Sequence, residues 1–338
     1  MGCQRIEMTR MSPHLVFHRS LAMAVLLACN GLAVAAEYRT GQPVMGTVLQ
    51  VTVVDSSRER ARHLAEAAIE LARHWDDVLT TWRREGELAQ LNRSAGRTVA
   101  VSSDLSAALV QMLRMYDESG GAFDPAVGER VDYYRTVADG TPTSSLLDLR
   151  RALWLRNRQA RLKTGATLDA GGIGKGIALD AIAHWLRAQR VTGAFLDFGG
   201  SSQTAIGTAD DGSIWSVAVA GGETGVLLGT IGLRDRSLST SRSSAPGDPA
   251  GPIINPADGT PVAPGRLVTV LATSAARADA WSTALVVSGP AGLARAQRYR
   301  IEALIDESGS LATTKGFTLA RQASETQVVA EGDRLQDR

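Results

Sequence analysis

Leu168-Asp169-Ala170-Gly171-Gly172-Ile173-Gly174-Lys175-Gly176 places four glycines, a carboxylate and a lysine side by side. A strand-like run precedes this stretch, and the apolar spacing of residues 177–189 predicts an amphipathic helix after it. A chain that turns from strand to helix through glycines reads as part of an α/β fold. Glycine lets backbone approach a ligand closely, and a helix start offers N–H groups and partial positive charge to an anion such as phosphate. On these grounds alone the stretch is either an anion site or a tight turn without a ligand. Lys175 stands out because the chain has only two other lysines, Lys163 and Lys315, against an arginine background. The spacing matches neither Gly-x-x-x-x-Gly-Lys-Ser/Thr nor Gly-x-Gly-x-x-Gly, so neither nucleotide-binding fingerprint applies.

The chain has 338 residues, 44% of them hydrophobic, and a net charge of +1. That composition suits a globular protein and offers no basic stripe for nucleic acid. Arg19, the apolar run from Leu21 to Ala28 and the small residues Ala33, Ala35 and Ala36 read as an export signal over residues 1–36. Leu26-Leu27-Ala28-Cys29 also fits a lipoprotein box, in which a lipidated Cys29 would anchor the protein to the membrane. Either route leads to the periplasm. The two cysteines, Cys3 and Cys29, both lie in the leader, so conventional cleavage leaves no disulfide or thiolate chemistry.

Alternation predicts a strand over residues 43–54, and helical spacing predicts a helix over 58–79. Ser102 and Ser103 cap a helix to about 119, residues 120–125 form a glycine loop, and 146–154 reads as a helix. Strands are expected at 194–198, 215–219, 225–233 and 267–272, with a helix at 275–288 and a closing hairpin at 301–314. Residues 237–258 read as loop, and 325–338 as a disordered tail. The expected architecture is one compact α/β (α+β) domain over residues 37–324, mixed sheets with packed helices.

Asp279 and Thr283 lie four apart on the predicted helix 275–288, on one face. With a backbone carbonyl they form a hard-oxygen set suited to magnesium; the alternative is a helix-start aspartate and a packed threonine. His63, His74 and His184 lack a second ligand at metal spacing, and no Gly-x-Ser-x-Gly elbow occurs.

Taken in order, a set of short motifs resembles the FAD:protein FMN transferases, the ApbE-type flavin transferases. The carriers are Met45-Gly46-Thr47, Leu79-Thr80-Thr81-Trp82, Gly121-Ala122-Phe123-Asp124-Pro125-Ala126-Val127-Gly128 and the glycine loop. Asp197-Phe198-Gly199-Gly200, Asn255-Pro256-x-x-Gly259 and Ala278-Asp279-Ala280-x-Ser282-Thr283-Ala284 complete them. The resemblance implies a magnesium-dependent enzyme that moves FMN from FAD onto a threonine of an acceptor protein carrying a Ser/Thr-Gly-Ala-Thr motif, with release of AMP. It implies that Asp279, Thr283 and the Gly172 carbonyl hold Mg2+. It places Met45, Trp82, the backbone of Ala122, Phe123 and Asp124, and also Asp169, Lys175 and Ile254, against FAD. Catalysis would fall to Asp279 and Lys175.

Two departures bear on the acceptor side. The family's His-Ile-Ile/Leu-Asp-Pro segment reads Pro252-Ile253-Ile254-Asn255-Pro256 here, and proline cannot take a proton. Loss of a base commonly costs about 10²–10⁴-fold. Asp169 or Asp197 is then the substitute base. The alternatives to transfer are an FAD-binding or flavin-scavenging protein, or an FAD pyrophosphatase. Thr164-Gly165-Ala166-Thr167 matches the acceptor motif itself, but as the run entering the glycine loop it reads as structure.

Overall fold

The computed structural model describes residues 36–136, 142, 145–222, 226–244 and 253–320. Its centre is an eight-stranded antiparallel sheet built from β1 (Ala36–Val44), β2 (Thr47–Asp55), β6 (Gly193–Phe198), β7 (Ser202–Gly207), β10 (Ser237–Arg242), β11 (Arg266–Ala272), β12 (Glu302–Glu307) and β13 (Ser310–Thr313), in that spatial order. A small sheet holds β3 (Val99–Ala100), β4 (Leu153–Arg156) and β5 (Gln159–Leu162), and β8 (Trp215–Ala220) pairs with β9 (Leu227–Leu233).

Side chains alternate across the sheet and divide the core in two. Ile206, Val270, Ala303 and Ile305 face the main core beneath three helices, α1 (Arg58–Leu79), α6 (Gly174–Ala188) and α7 (Ala275–Ser288). Their neighbours Ala205, Leu271 and Leu304 face a second cluster under the β8–β9 hairpin. The helices α2 (Glu87–Arg93), α3 (Ser103–Ser119), α4 (Gly128–Thr136), α5 (Leu149–Ala152) and α8 (Leu293–Arg298) complete the described elements, with a 3-10 turn at Gly289–Gly292.

The α/β class, α1, α3, α7 and the closing hairpin follow the expectation from pattern. Four segments do not. Residues 43–54 are not one strand: Met45 and Gly46, both at positive φ, turn β1 into β2 as a two-residue hairpin. Of 146–154, only Leu149–Ala152 is helical; Leu153–Arg156 instead pairs with β5, because Leu153-Trp154-Leu155 fits a pleated ladder. Within 237–258, Ser237–Arg242 is a central strand whose hydroxyls find partners, Ser237 with Thr204 and Ser241 with Ser282. Tertiary pairing there overrides the weak strand preference of serine. The run before the glycine loop makes only one parallel bridge, Thr167 to Val127, and the helix after it begins at Gly174. The expected tail and, apart from Ala36 at the start of β1, the expected leader lie outside the described residues.

Candidate active site

The glycine loop is tied down on every side. The Asn92 amide acts as a strand partner for Leu168, donating to its carbonyl at 2.8 Å and accepting its N–H at 2.9 Å. The Asp169 N–H donates to the Pro125 carbonyl, and Asp169 Oδ1 accepts from Gly171 N–H at 2.8 Å. Thr167 belongs to this strut: its carbonyl accepts from Gly128 N–H. That leaves Thr164-Gly165-Ala166-Thr167 as the support of the loop rather than a presented acceptor.

Beyond the loop, α6 and α7 meet at their N-termini. Gly176 sits so close to α7 that an added Cβ would lie 2.6 Å from the Ala276 Cα. Each helix supplies the carboxylate that completes the other's first turn. Asp180 of α6 accepts from Ser274 Oγ and from the N–H groups of Ala275 and Ala276. Asp279 of α7 accepts from Gly176 N–H at 2.6 Å and from Ser202 Oγ at 2.8 Å. At the helix start after the glycine loop, the Gly176 N–H is therefore taken by the protein's own carboxylate. Burial pushes the Asp279 carboxyl up from its ordinary value, against the charge of Lys175 and the hydrogen bonds from Ser239, Ser202 and Gly176.

A cleft opens above this joint in two lobes, of about 690 Å³ and about 320 Å³. Met45, Trp82 and Leu79 line the larger lobe. Ala122, Phe123, Asp124, Ile254, Gly172 and Thr283 line the smaller. Asp169 and Lys175 border both, at the neck. The structure thus brings ten of the sequence candidates to one cleft and places Asp279, buried, beneath it. Positive φ at Met45 aims its side chain toward Gly174, whose Cβ would lie 3.4 Å from the Met45 Cε. Asp124 faces inward, accepting from the N–H groups of Ala126 and Leu149, so its backbone is what it offers the cleft. Burial raises its carboxyl to about 6.

Gly172 and Thr283 are in contact: a Cβ on Gly172 would lie 2.9 Å from Thr283 Oγ1 and 3.3 Å from the Phe123 ring. The Gly172 carbonyl, the Thr283 hydroxyl and the Asp279 carboxylate are all hard oxygens. Among the described residues no group of three His, Cys, Asp or Glu side chains gathers as a metal site. A single carboxylate with neutral oxygens fits Mg2+, which keeps several waters, better than zinc.

Asp197 is not part of this site. It points to the other side of the sheet, beside Glu37, Arg39 and Trp215, and accepts from Gly200 N–H and Gln203. Strand alternation explains this, since its neighbours Leu196 and Phe198 fill the core. Asn255 shapes its own turn, accepting from Ala257 N–H and donating to Asp258. Pro252 lies outside the described residues. Sequence reasoning missed Arg135, which also borders both lobes, and Ser202 and Ser239 around Asp279. Arg135 sits on a helix without amphipathic periodicity, and the serines sit on strands that composition hides.

Fold and site together define an α/β protein with a two-lobed cleft, with Lys175, Arg135 and Asp169 at its neck and the buried Asp279 beneath it. The chain belongs to the ApbE family, whose sequence pattern matches residues 45–305. It is 26% identical over 310 residues to the FAD:protein FMN transferase of Salmonella typhimurium, covering 81% of this chain and 87% of that one. It is 30% identical over 301 residues to the enzyme of that name from Rhodobacter capsulatus, covering 81% of this chain and 56% of that protein. A third, from Treponema pallidum, is 31% identical over 192 residues, 52% of this chain and 53% of its own length. The chain thus spans little more than half of these last two relatives. The fold matches the apo form of the flavinyl transferase ApbE of Pseudomonas stutzeri with a TM-score of 0.72 at 23% identity, covering 83% of this chain and 95% of that one. The ApbE protein of Thermotoga maritima gives 0.74 at 21% identity, covering 83% and 97%.

Proposed function

We propose that this protein transfers FMN from FAD to a threonine of an acceptor protein and releases AMP, with magnesium bound. The observation that carries the reading is the neck of the cleft, where Lys175 and Asp169 line both lobes beside the Gly172–Thr283 contact and the charge of Lys175 acts on the buried Asp279. The names of the relatives support the same reaction. Met45 and Trp82 offer the larger lobe to a ring system, and the neck takes the diphosphate. The hydroxyls of Thr240, Ser241 and Ser244 line the smaller lobe.

The acceptor oxygen forms a bond to the FMN phosphorus as the bridging P–O bond breaks toward AMP. Lys175 neutralises charge on the phosphate oxygens, and positioning accounts for most of the catalysis. Gly172, Asp279 and Thr283 would hold Mg2+, which supplies further neutralisation of those oxygens. Asp169 stands at the neck as the carboxylate able to take the acceptor's proton. The leader suggests that this work is done in the periplasm, either in solution or from an anchor at Cys29.

The test is in-gel flavin fluorescence of a co-expressed acceptor bearing the Ser/Thr-Gly-Ala-Thr motif. Wild type labels the acceptor and releases AMP, whereas Asp279→Ala does neither; unchanged labelling in that variant removes the metal assignment. One observation favours a second reading, FAD binding without transfer: no described residue lining the smaller lobe is a histidine. Tight FAD binding, no labelling and rescue by Pro252→His would establish that reading instead.

A further inference from the structure

Arg135 ends α4 with its guanidinium carbon 4.0 Å above the centre of the Trp82 ring. Its side chain is only 14% exposed, and its Nη1 lies 3.5 Å from an oxygen of Asp132, one turn back on the same helix. Its Nε is buried with no hydrogen-bond partner. Such an orphaned donor costs free energy, and it sits in a residue bordering both lobes. The other residues common to the two lobes are Asp169, Gly171 and Lys175. One lysine against one carboxylate leaves the neck without net charge, whereas a diphosphate brings two negative charges. At the start of α6 the Gly176 N–H is already taken by Asp279. A guanidinium fork adds a second positive charge at the neck and presents parallel N–H donors to phosphate oxygens.

We infer that Arg135 is a substrate-binding residue, which clamps the diphosphate at the neck while Trp82 holds its guanidinium plane in place. The inference rests on the transferase reading for the identity of the substrate, but the diphosphate chemistry stands independently. The bland alternative is that the Arg135–Trp82 stack only fastens the end of α4 to the loop after α1.

The two are separated by titrating wild type, Arg135→Ala and Arg135→Lys with FAD, ADP and riboflavin. The clamp predicts that Arg135→Ala weakens FAD and ADP by roughly 10- to 100-fold and leaves riboflavin unchanged. It also predicts partial recovery in Arg135→Lys and a shallower salt dependence of ADP binding in Arg135→Ala. Equal losses for FAD and riboflavin, or unchanged ADP affinity in Arg135→Ala, overturn the clamp. Wild type that binds ADP but not FAD keeps the clamp and defeats the flavin reading. Wild type that binds neither overturns both.

Discussion

Asp124 shows how one side chain can serve the fold while its backbone serves the site. Its carboxyl is turned into the protein, where burial raises it to about 6 against the opposing hydrogen bonds from Ala126 and Leu149. The folded form therefore holds a proton that the unfolded chain releases near the ordinary value of 3.8. Folding binds protons in that window, so this group stabilises the protein as pH falls from 6 toward 4 and loses that contribution as pH rises through 6. Against Asp124→Asn, the relative stability of wild type should grow by about 2 kcal/mol between pH 7 and pH 4, read from urea midpoints. A flat difference would show that Asp124 is ionised in the folded protein. At this scale Lys175 was legible because lysine is rare in the chain, whereas Met45, Ala122 and Ile254 came to notice through the resemblance and then fell on the same cleft. Asp197 misled because a motif does not say which side of a strand its residue faces. Arg135 was invisible because one arginine among many carries no pattern.

The joint between α6 and α7 is the element on which the site depends. Helical period and serine caps made α1, α3 and α7 readable from sequence, since those signals are local. The strand β10 was not, because its identity lies in partners distant along the chain, and the short β4 was not, because four residues are too few to show a period before their hairpin partner β5 is known. Gly176 also belongs to this scale. Alanine there would press against the backbone of Ala275 and Ala276, which cannot swing aside as a flexible side chain can. Gly176→Ala should cost about 3 kcal/mol or more and move Asp279 away from the first turn of α6. Thermal denaturation checks the first effect and loss of Mg2+-dependent FAD binding the second. A fully stable, fully active Gly176→Ala would show that the two helices approach less closely than described.

At the scale of the molecule, the cleft is lined from α1, α4, α6, α7, β10 and the loops between them, so ligand and ion should brace elements far apart in the chain. A ligand at a hundredfold excess over its dissociation constant adds about 2.7 kcal/mol to stability. FAD with Mg2+ should therefore raise the melting temperature beyond FAD alone, and chelation or Asp279→Asn should remove only the increment due to the ion. An increment that survives in Asp279→Asn would place the ion elsewhere. The crossed carboxylates of α6 and α7 carry a consequence for the order of assembly. Gly176 and Asp279 are 103 residues apart in the chain, and Asp180 and Ser274 are 94 apart. Contacts of such long range close late. Neither helix has a finished start until the other arrives, so no early fragment of this chain presents the floor of the cleft. A chain in which only one of the two helices has packed has no floor to its cleft; the floor is finished only when both are in place.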